Sequence, residues 1–185
     1  MDNSKVSITL DQLTITTPTL AHKTAILKFR EEFNAKFDAM HGANELNAFT
    51  DGGFVGWLNY LNAPKGSEWF EYQKVDDATY IALLEDTVVG IMHLRFELNA
   101  ILLERGGHLG YSTHPNFQGL GIASCMVNFA KTVFKEKGLD KILITCHDDN
   151  LPSKKVIINH GGILENTIQI KDKTVCRYWL ELAEI

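Results

Sequence analysis

The sequence predicts a mixed α/β fold, a mixed sheet with helices on both faces. Three observations predict it. Helical and strand periodicities alternate in the C-terminal half, whereas the middle of the chain is a meander of strands. The 185 residues are 45% hydrophobic and 22% charged, a globular balance that can bury one core without disulfides or metals. A glycine-bearing turn, Gly119-Leu120-Gly121, joins a strand to a long amphipathic helix.

Each element follows from local pattern. Residues 13–16 read as a strand ending at Thr17-Pro18. Ile26, Phe29, Phe33, Phe37 and Met40 recur at helical spacing, predicting a helix over 20–40 that His41-Gly42 stops. Phe54, Trp57, Leu58 and Leu61 predict a second helix, starting after Thr50 or Asp51 and ended by Pro64. A third short helical stretch is expected over 67–72. Residues 80–84 and 88–98 form a hairpin around Glu85-Asp86-Thr87. Strand alternation puts Val88, Met92, Leu94, Phe96 and Leu98 on one face and His93, Arg95 and Glu97 on the other.

Residues 107–113 are a strand closed by Pro115. The long helix covers 120–137, with Ile122, Cys125, Met126, Phe129 and Val133 inward and Gly138 as its cap. Residues 141–146 are a buried strand. A helix over 150–160, with Val156, Ile157 and His160 in phase, stops at Gly161-Gly162. Residues 163–170 and 174–182 close the chain as a hairpin around Lys171-Asp172-Lys173.

Composition excludes several function classes. The formal net charge of −5 has the wrong sign for generic phosphate-backbone binding, so no nucleic acid partner is expected. No apolar run reaches the roughly 18 residues of a membrane helix, and no secretory signal opens the chain, so a cytoplasmic location and no membrane partner are expected. Cys125, Cys146 and Cys176 are odd in number and lack metal-ligand spacing, so buried thiols and no metal site are expected.

The turn carries the chemistry. Glycines let a backbone approach a ligand, and the first amides of a helix lack internal partners and bear partial positive charge. Such a terminus suits a phosphate or diphosphate, as in a nucleotide or coenzyme A. A P-loop would need a Lys and a Ser/Thr after the last glycine, which are missing. A dinucleotide fingerprint would need a third glycine where Ser124 stands. Residues 118–123, Gln-Gly-Leu-Gly-Ile-Ala, instead resemble the Gln/Arg-x-x-Gly-x-Gly/Ala motif of the GNAT superfamily of N-acetyltransferases. The segment Asp149-Asn150-Leu-Pro-Ser153, the following helix and Gly161-Gly162 resemble a second element of that family. Residues 94–111 resemble a subgroup of predicted bacterial acetyltransferases.

The resemblance implies a mostly antiparallel central sheet of six to seven strands, flanked by helices, with two central strands splayed apart. It implies acetyl-CoA as co-substrate and an amine as acceptor. Carried over, Gln118, Gly119, Leu120, Gly121, Ile122, Ala123 and Ser124 would hold the diphosphate. Tyr111, Ser112 and Thr113 would pair with the pantetheine arm, and Asn150 and Ser153 would meet it from the other side. One domain over 1–185 is expected, with 1–75 as the variable acceptor part and 76–185 as the coenzyme core. A homodimer through the terminal strands also fits the family.

Direct attack of an amine on the thioester needs a base, an oxyanion donor and a proton for the thiolate. Relatives carrying a Tyr acid seven residues after the helix Asn have Ile157 as the counterpart here, so Tyr111 is the acid candidate. For the base, the family position falls on Gly107, beside His108, and Glu97 is the rival. Cys146 as a nucleophile is disfavoured, because its neighbour His147 points to the opposite strand face. Between 37 and 64 there are three acids, Asp38, Glu45 and Asp51, and no Lys or Arg, which suggests a cationic acceptor or simply a solvated face. A non-catalytic acyl-CoA sensor of the same fold is the alternative function; transfer to a hydroxyl or of a longer acyl chain is a further variant.

Overall fold

A computed structural model describes residues 7–49, 53–70 and 72–182. The chain begins with strand β1 (Thr14–Thr16), a 3₁₀ turn (Leu20–His22) and helix α1 (Lys23–Asn34). A 3₁₀ segment (Asn44–Ala48) leads to α2 (Phe54–Leu61). The two-residue strands β2 (Glu68–Trp69) and β3 (Tyr72–Gln73) precede the long hairpin β4 (Asp77–Leu84) and β5 (Thr87–Arg95). After a π turn (Leu102–Gly106) come β6 (Leu109–Thr113), α3 (Ile122–Glu136), β7 (Lys141–His147), α4 (Leu151–Asn159), β8 (Ile163–Ile170) and β9 (Lys173–Glu181).

The strands form a sheet ordered β1-β4-β5-β6 and a second ordered β7-β9-β8, with antiparallel pairing throughout both. The seven strands agree with the expected count. β2 and β3 form a separate small hairpin where a helical stretch was expected over 67–72. Phe70, with φ 49°, makes the tight reversal that a helix would not allow. The first helix is also shorter than its periodicity predicts. Phe37 and Met40 lie beyond its end; Phe37 is exposed, whereas Met40 is buried by an irregular segment. The expected start of the second helix at Thr50 or Asp51 lies outside the described residues.

Two apolar clusters sandwich the sheet. Met92, Leu94, Leu109, Ile144 and Ile157 pack with Ile122, Met126 and Phe134 of α3. On the other face, Ile26, Phe29 and Phe33 of α1 and Trp57 and Tyr60 of α2 cover Ile81 and Ile91. Full burial of each such side chain is worth about 1.5–3 kcal/mol. A register shift between Ala82 and Leu83 moves Val88 to the α1/α2 face, against the simple alternation predicted for that strand.

The α1/α2 face also holds charge. Lys74, almost fully buried, is ion-paired to Asp77, whose second oxygen meets His93 Nε2 at 2.9 Å. Burial alone would raise the Asp77 carboxyl, but bonds to His93 and Lys74 outweigh it and hold the group below its ordinary value. Among the described residues no helix is long and apolar enough to cross a membrane.

Candidate active site

Strands β6 and β7 touch at one point. The His108 N–H donates to the Leu143 carbonyl at 2.7 Å, and the Leu143 N–H donates to His108 Nδ1 at 2.8 Å. The imidazole thus replaces the backbone acceptor of a continuous ladder, while the His108 carbonyl turns away to accept from the Arg95 N–H at 2.8 Å. Beyond this point no backbone hydrogen bond joins the two strands among the described residues. They become two arms of a gap.

The free edge of β6 can be read from its ends. The His108 carbonyl and the His114 N–H both bond β5, the latter to the Val89 carbonyl at 2.9 Å. Backbone polar groups alternate sides along a strand, so residues 110 and 112 also serve β5. Leu109, Tyr111 and Thr113 therefore turn their N–H and C=O groups toward the gap. Ser112, grouped with Tyr111 and Thr113 by the family resemblance, spends its backbone on β5.

At the open end of β6 the chain makes a 3₁₀ turn (Pro115–Phe117) and then the glycine turn. Gly119 and Gly121 have φ of 77° and 91°, which side chains rarely adopt. A Cβ on Gly119 would meet nothing within 4 Å, whereas one on Gly121 would lie 3.0 Å from the Ile8 carbonyl oxygen. One side of the turn is thus open, and the other is braced by the Ile8 N–H bond to the Leu120 carbonyl at 2.7 Å. The first intrahelical bond runs from the Cys125 N–H to the Gly121 carbonyl. The N–H groups of Ile122, Ala123 and Ser124 precede it and are unsatisfied within the helix. No acidic side chain occupies the first turn. The turn of residues 118–121 thus has an open side at Gly119 and leads into three amides, Ile122–Ser124, that have no partner within the helix.

A polar contact crosses the α3/α4 side of the gap. The Tyr111 hydroxyl lies 3.0 Å from Ser153 Oγ. Asn150 caps α4 by accepting the Ser153 N–H at 3.2 Å through Oδ1. Burial pushes the Tyr111 phenol up to about 12, against the opposing pull of the Ser153 bond. Ile157 is wholly buried in the core. All three cysteines are free and buried, and burial pushes the Cys146 thiol up to about 11, which suppresses the thiolate a nucleophile needs.

The base candidates are separated by the fold. His108 stands at the closed end of the gap, edge-on to Phe134 and Trp179, and burial pushes it down to about 4 with help from Arg95. Glu97 lies past the end of β5, ion-paired to Lys65 and accepting the Asp76 N–H at 3.1 Å. Its bond to Lys65, with that backbone N–H, holds the carboxyl below its ordinary value. Glu45 is half-buried and acts electrostatically on Tyr60, Tyr72 and His93; Asp38 is exposed, and Asp51 lies outside the described residues.

A different pair stands over the gap on the α1/α2 face. His41 of the loop after α1 and His147 at the end of β7 meet edge to face, with ring centroids 5.9 Å apart. No spacing in the sequence signals this pair. His41 reads there as part of a helix stop, and His147 as the neighbour of a cysteine.

The Acetyltransferase (GNAT) family model matches residues 47–161, more than half of the chain. A comparison with curated protein sequences gave no match. Among solved structures, the fold is similar to an acetyl transferase from Salmonella typhimurium that modifies the N-terminal serine of a 50S ribosomal subunit protein. That pair has 18% identity and a TM-score of 0.64, over 95% of this chain and 96% of the other. It is similar to a chimera of the spermidine N-acetyltransferase SpeG from Vibrio cholerae with hSSAT, at 16% identity and TM-score 0.64 over 92% and 96% of the two chains. It is also similar to MccE, a microcin self-immunity acetyltransferase solved with acetyl-CoA and AMP, at 17% identity and TM-score 0.63 over 96% and 97%. With the family model covering the gap, the glycine turn and α4 together, the chain belongs to the GNAT family of acetyltransferases.

Proposed function

We propose that the protein transfers the acetyl group of acetyl-CoA to a primary amine of a small molecule or peptide, by direct attack on the thioester. The observation that carries this reading is the open amide cradle of residues 118–124 at the mouth of the gap between β6 and β7. The diphosphate would accept from those amides, and the pantetheine arm would pair with the free groups of Leu109, Tyr111 and Thr113. Asn150 and Ser153 would line the opposite arm. Residues 1–185 act as one domain, with 76–185 providing the coenzyme core and the α1/α2 region the acceptor wall.

In this reading the amine nitrogen attacks the carbonyl carbon and the C–S bond breaks with its electron pair on sulfur. The thiolate then takes a proton through the Tyr111 hydroxyl, which Ser153 orients. The raised phenol pKa makes Tyr111 a hydrogen-bond donor at neutral pH rather than a strong acid. Tyr111→Phe is therefore expected to lower kcat by about 10- to 100-fold with little change in acetyl-CoA affinity. Steady-state kinetics beside calorimetry checks this; a tenfold loss of affinity with kcat intact would make Tyr111 a binding residue instead.

Calorimetry with acetyl-CoA, followed by thiol release over a panel of primary amines, tests the whole reading. Micromolar binding with turnover of at least one amine is expected. Binding without turnover on any amine would support a sensor, and no binding would refute the cradle. Of the three acids between 37 and 64, Glu45 is half-buried and acts electrostatically on Tyr60, Tyr72 and His93, so we infer a cationic amine as the acceptor. A homodimer through the terminal strands is consistent with the exposed Ile163 and Leu164 of the outer strand β8, and sedimentation would measure it.

A further inference from the structure

We propose that His41, on the face of the gap opposite the Tyr111–Ser153 contact, is the base that takes the proton from the acceptor ammonium. This rests on the acetyl-transfer reading above and assigns the group that reading leaves open.

The backbone of residues 41–42 lies directly on the sheet. A Cβ on Gly42 would sit 2.1 Å from the Ile91 carbonyl oxygen, and one on Gly110 would sit 2.3 Å from the His41 carbonyl oxygen. Neither position admits a side chain, so two glycines on different elements permit this seat. Gly110 belongs to β6, one arm of the gap. His147, the ring partner of His41, belongs to β7, the other arm. The two imidazoles therefore meet above the opening.

Alternation fixes the face. The side chains of Leu109 and Tyr111, and of Ile142, Ile144 and Cys146, join the cluster under α3, which leaves Gly110 and His147 on the opposite side with His41. A thioester carbon in the gap would then have a phenol on one side and an imidazole on the other, as an amine-to-thiol proton path requires.

The environment suits a base. His41 is a solvent-exposed residue whose ring meets that of His147 edge to face. Burial, then His147, Arg95 and Lys173, lower its pKa. These groups come from β7, β5 and β9, and among the described residues no carboxylate is one of the charged groups acting on the ring. His41 is therefore neutral at pH 7 and can release an acquired proton to water. The other candidates are engaged: His108 Nδ1 with the Leu143 N–H, and Glu97 with Lys65.

The step balances. The ammonium gives one proton to a ring nitrogen of His41, and the freed lone pair forms the C–N bond. The C–S bond breaks, and the second nitrogen proton ends on the thiolate, directly or through Tyr111. The imidazolium returns its proton to solvent, leaving amide, CoA thiol and one released proton.

The test compares wild type with His41→Gln and His41→Ala. Calorimetry with acetyl-CoA comes first; equal affinity in all three is expected, and failure of wild type to bind would refute the acetyl-transfer reading rather than this one. Thiol release is then followed against pH with spermidine and with a peptide bearing an N-terminal serine. Wild-type kcat/KM should fall as pH drops through the lowered His41 pKa. Both variants should lose about 100-fold at pH 7 and lose that acidic limb. Gln, which preserves size and hydrogen bonding, should not rescue. Retention of the limb, or rescue by Gln, would overturn the proposal. A second readout needs no acceptor: carbethoxylation of His41 by diethyl pyrocarbonate, read by peptide mass, should slow at least fivefold under saturating acetyl-CoA. An unchanged rate would also overturn it.

Discussion

Gly119→Asp should lower acetyl-CoA affinity by at least about 100-fold while leaving the fold intact. The two effects are separable because the position is open: a Cβ there meets nothing within 4 Å. The φ of 77° costs a non-glycine residue roughly 1–2 kcal/mol, but Asp is among the residues that tolerate that region best. A carboxylate beside a helix N-terminus regains about 0.3–1 kcal/mol. Stability should therefore change by about 1 kcal/mol. Binding is opposed more strongly. A carboxylate about 4 Å from a phosphate charge costs about 4 kcal/mol at an effective dielectric of 20, or nearly three decades in affinity. The added carboxylate can also occupy the amides itself. Gly121 is a poorer test, because a Cβ there presses on the Ile8 carbonyl and would confound binding with folding. Calorimetry beside a thermal melt measures both quantities. A fully folded Gly119→Asp protein with unchanged affinity would remove the diphosphate from this turn.

The second large effect is on stability and is carried by His108. Replacing it with Ala deletes a ring packed against Phe134 and Trp179 and leaves the buried Leu143 N–H without its acceptor. A cavity and an unsatisfied donor together predict a loss of about 3–5 kcal/mol. The ring also ties stability to pH. In the unfolded chain a histidine takes a proton below about pH 6.5, whereas folded His108 does so only near 4. Between these values the unfolded state binds more protons, so stability falls as pH falls. The contribution is complete above pH 6.5 and is lost on acidification toward pH 4, to a limit of about 3 kcal/mol. His108→Asn can still accept from Leu143 but cannot titrate. It should recover part of the Ala loss and show a shallower acid limb than wild type. Urea unfolding at pH 7 and pH 4.5 measures the difference, and equal acid slopes in wild type and His108→Asn would refute it.

The same residue shows what a sequence can and cannot tell. His108 stood out because it is a histidine beside the family position for a base. Its geometry instead makes it the hinge of the gap, since its Nδ1 takes the place of a backbone carbonyl. That substitution joins residues 35 positions apart and leaves no trace in local spacing. His41 is the converse case. It sits beside a glycine where a helix ends, and local reading assigns it to the stop. Its place over the gap depends on the bare backbones of Gly42 and Gly110, which lie on different elements.

Periodicity and turn chemistry alone determined the mixed architecture, the order of the main elements and the glycine turn before α3, because these depend on residues within a few positions of one another. Tertiary structure alone decided where β6 and β7 part, which backbone groups stay free along the gap and which side chains face its two sides. Those outcomes depend on hydrogen bonds and close approaches between distant segments, and such contacts exist only after the two sheets have packed against their helices.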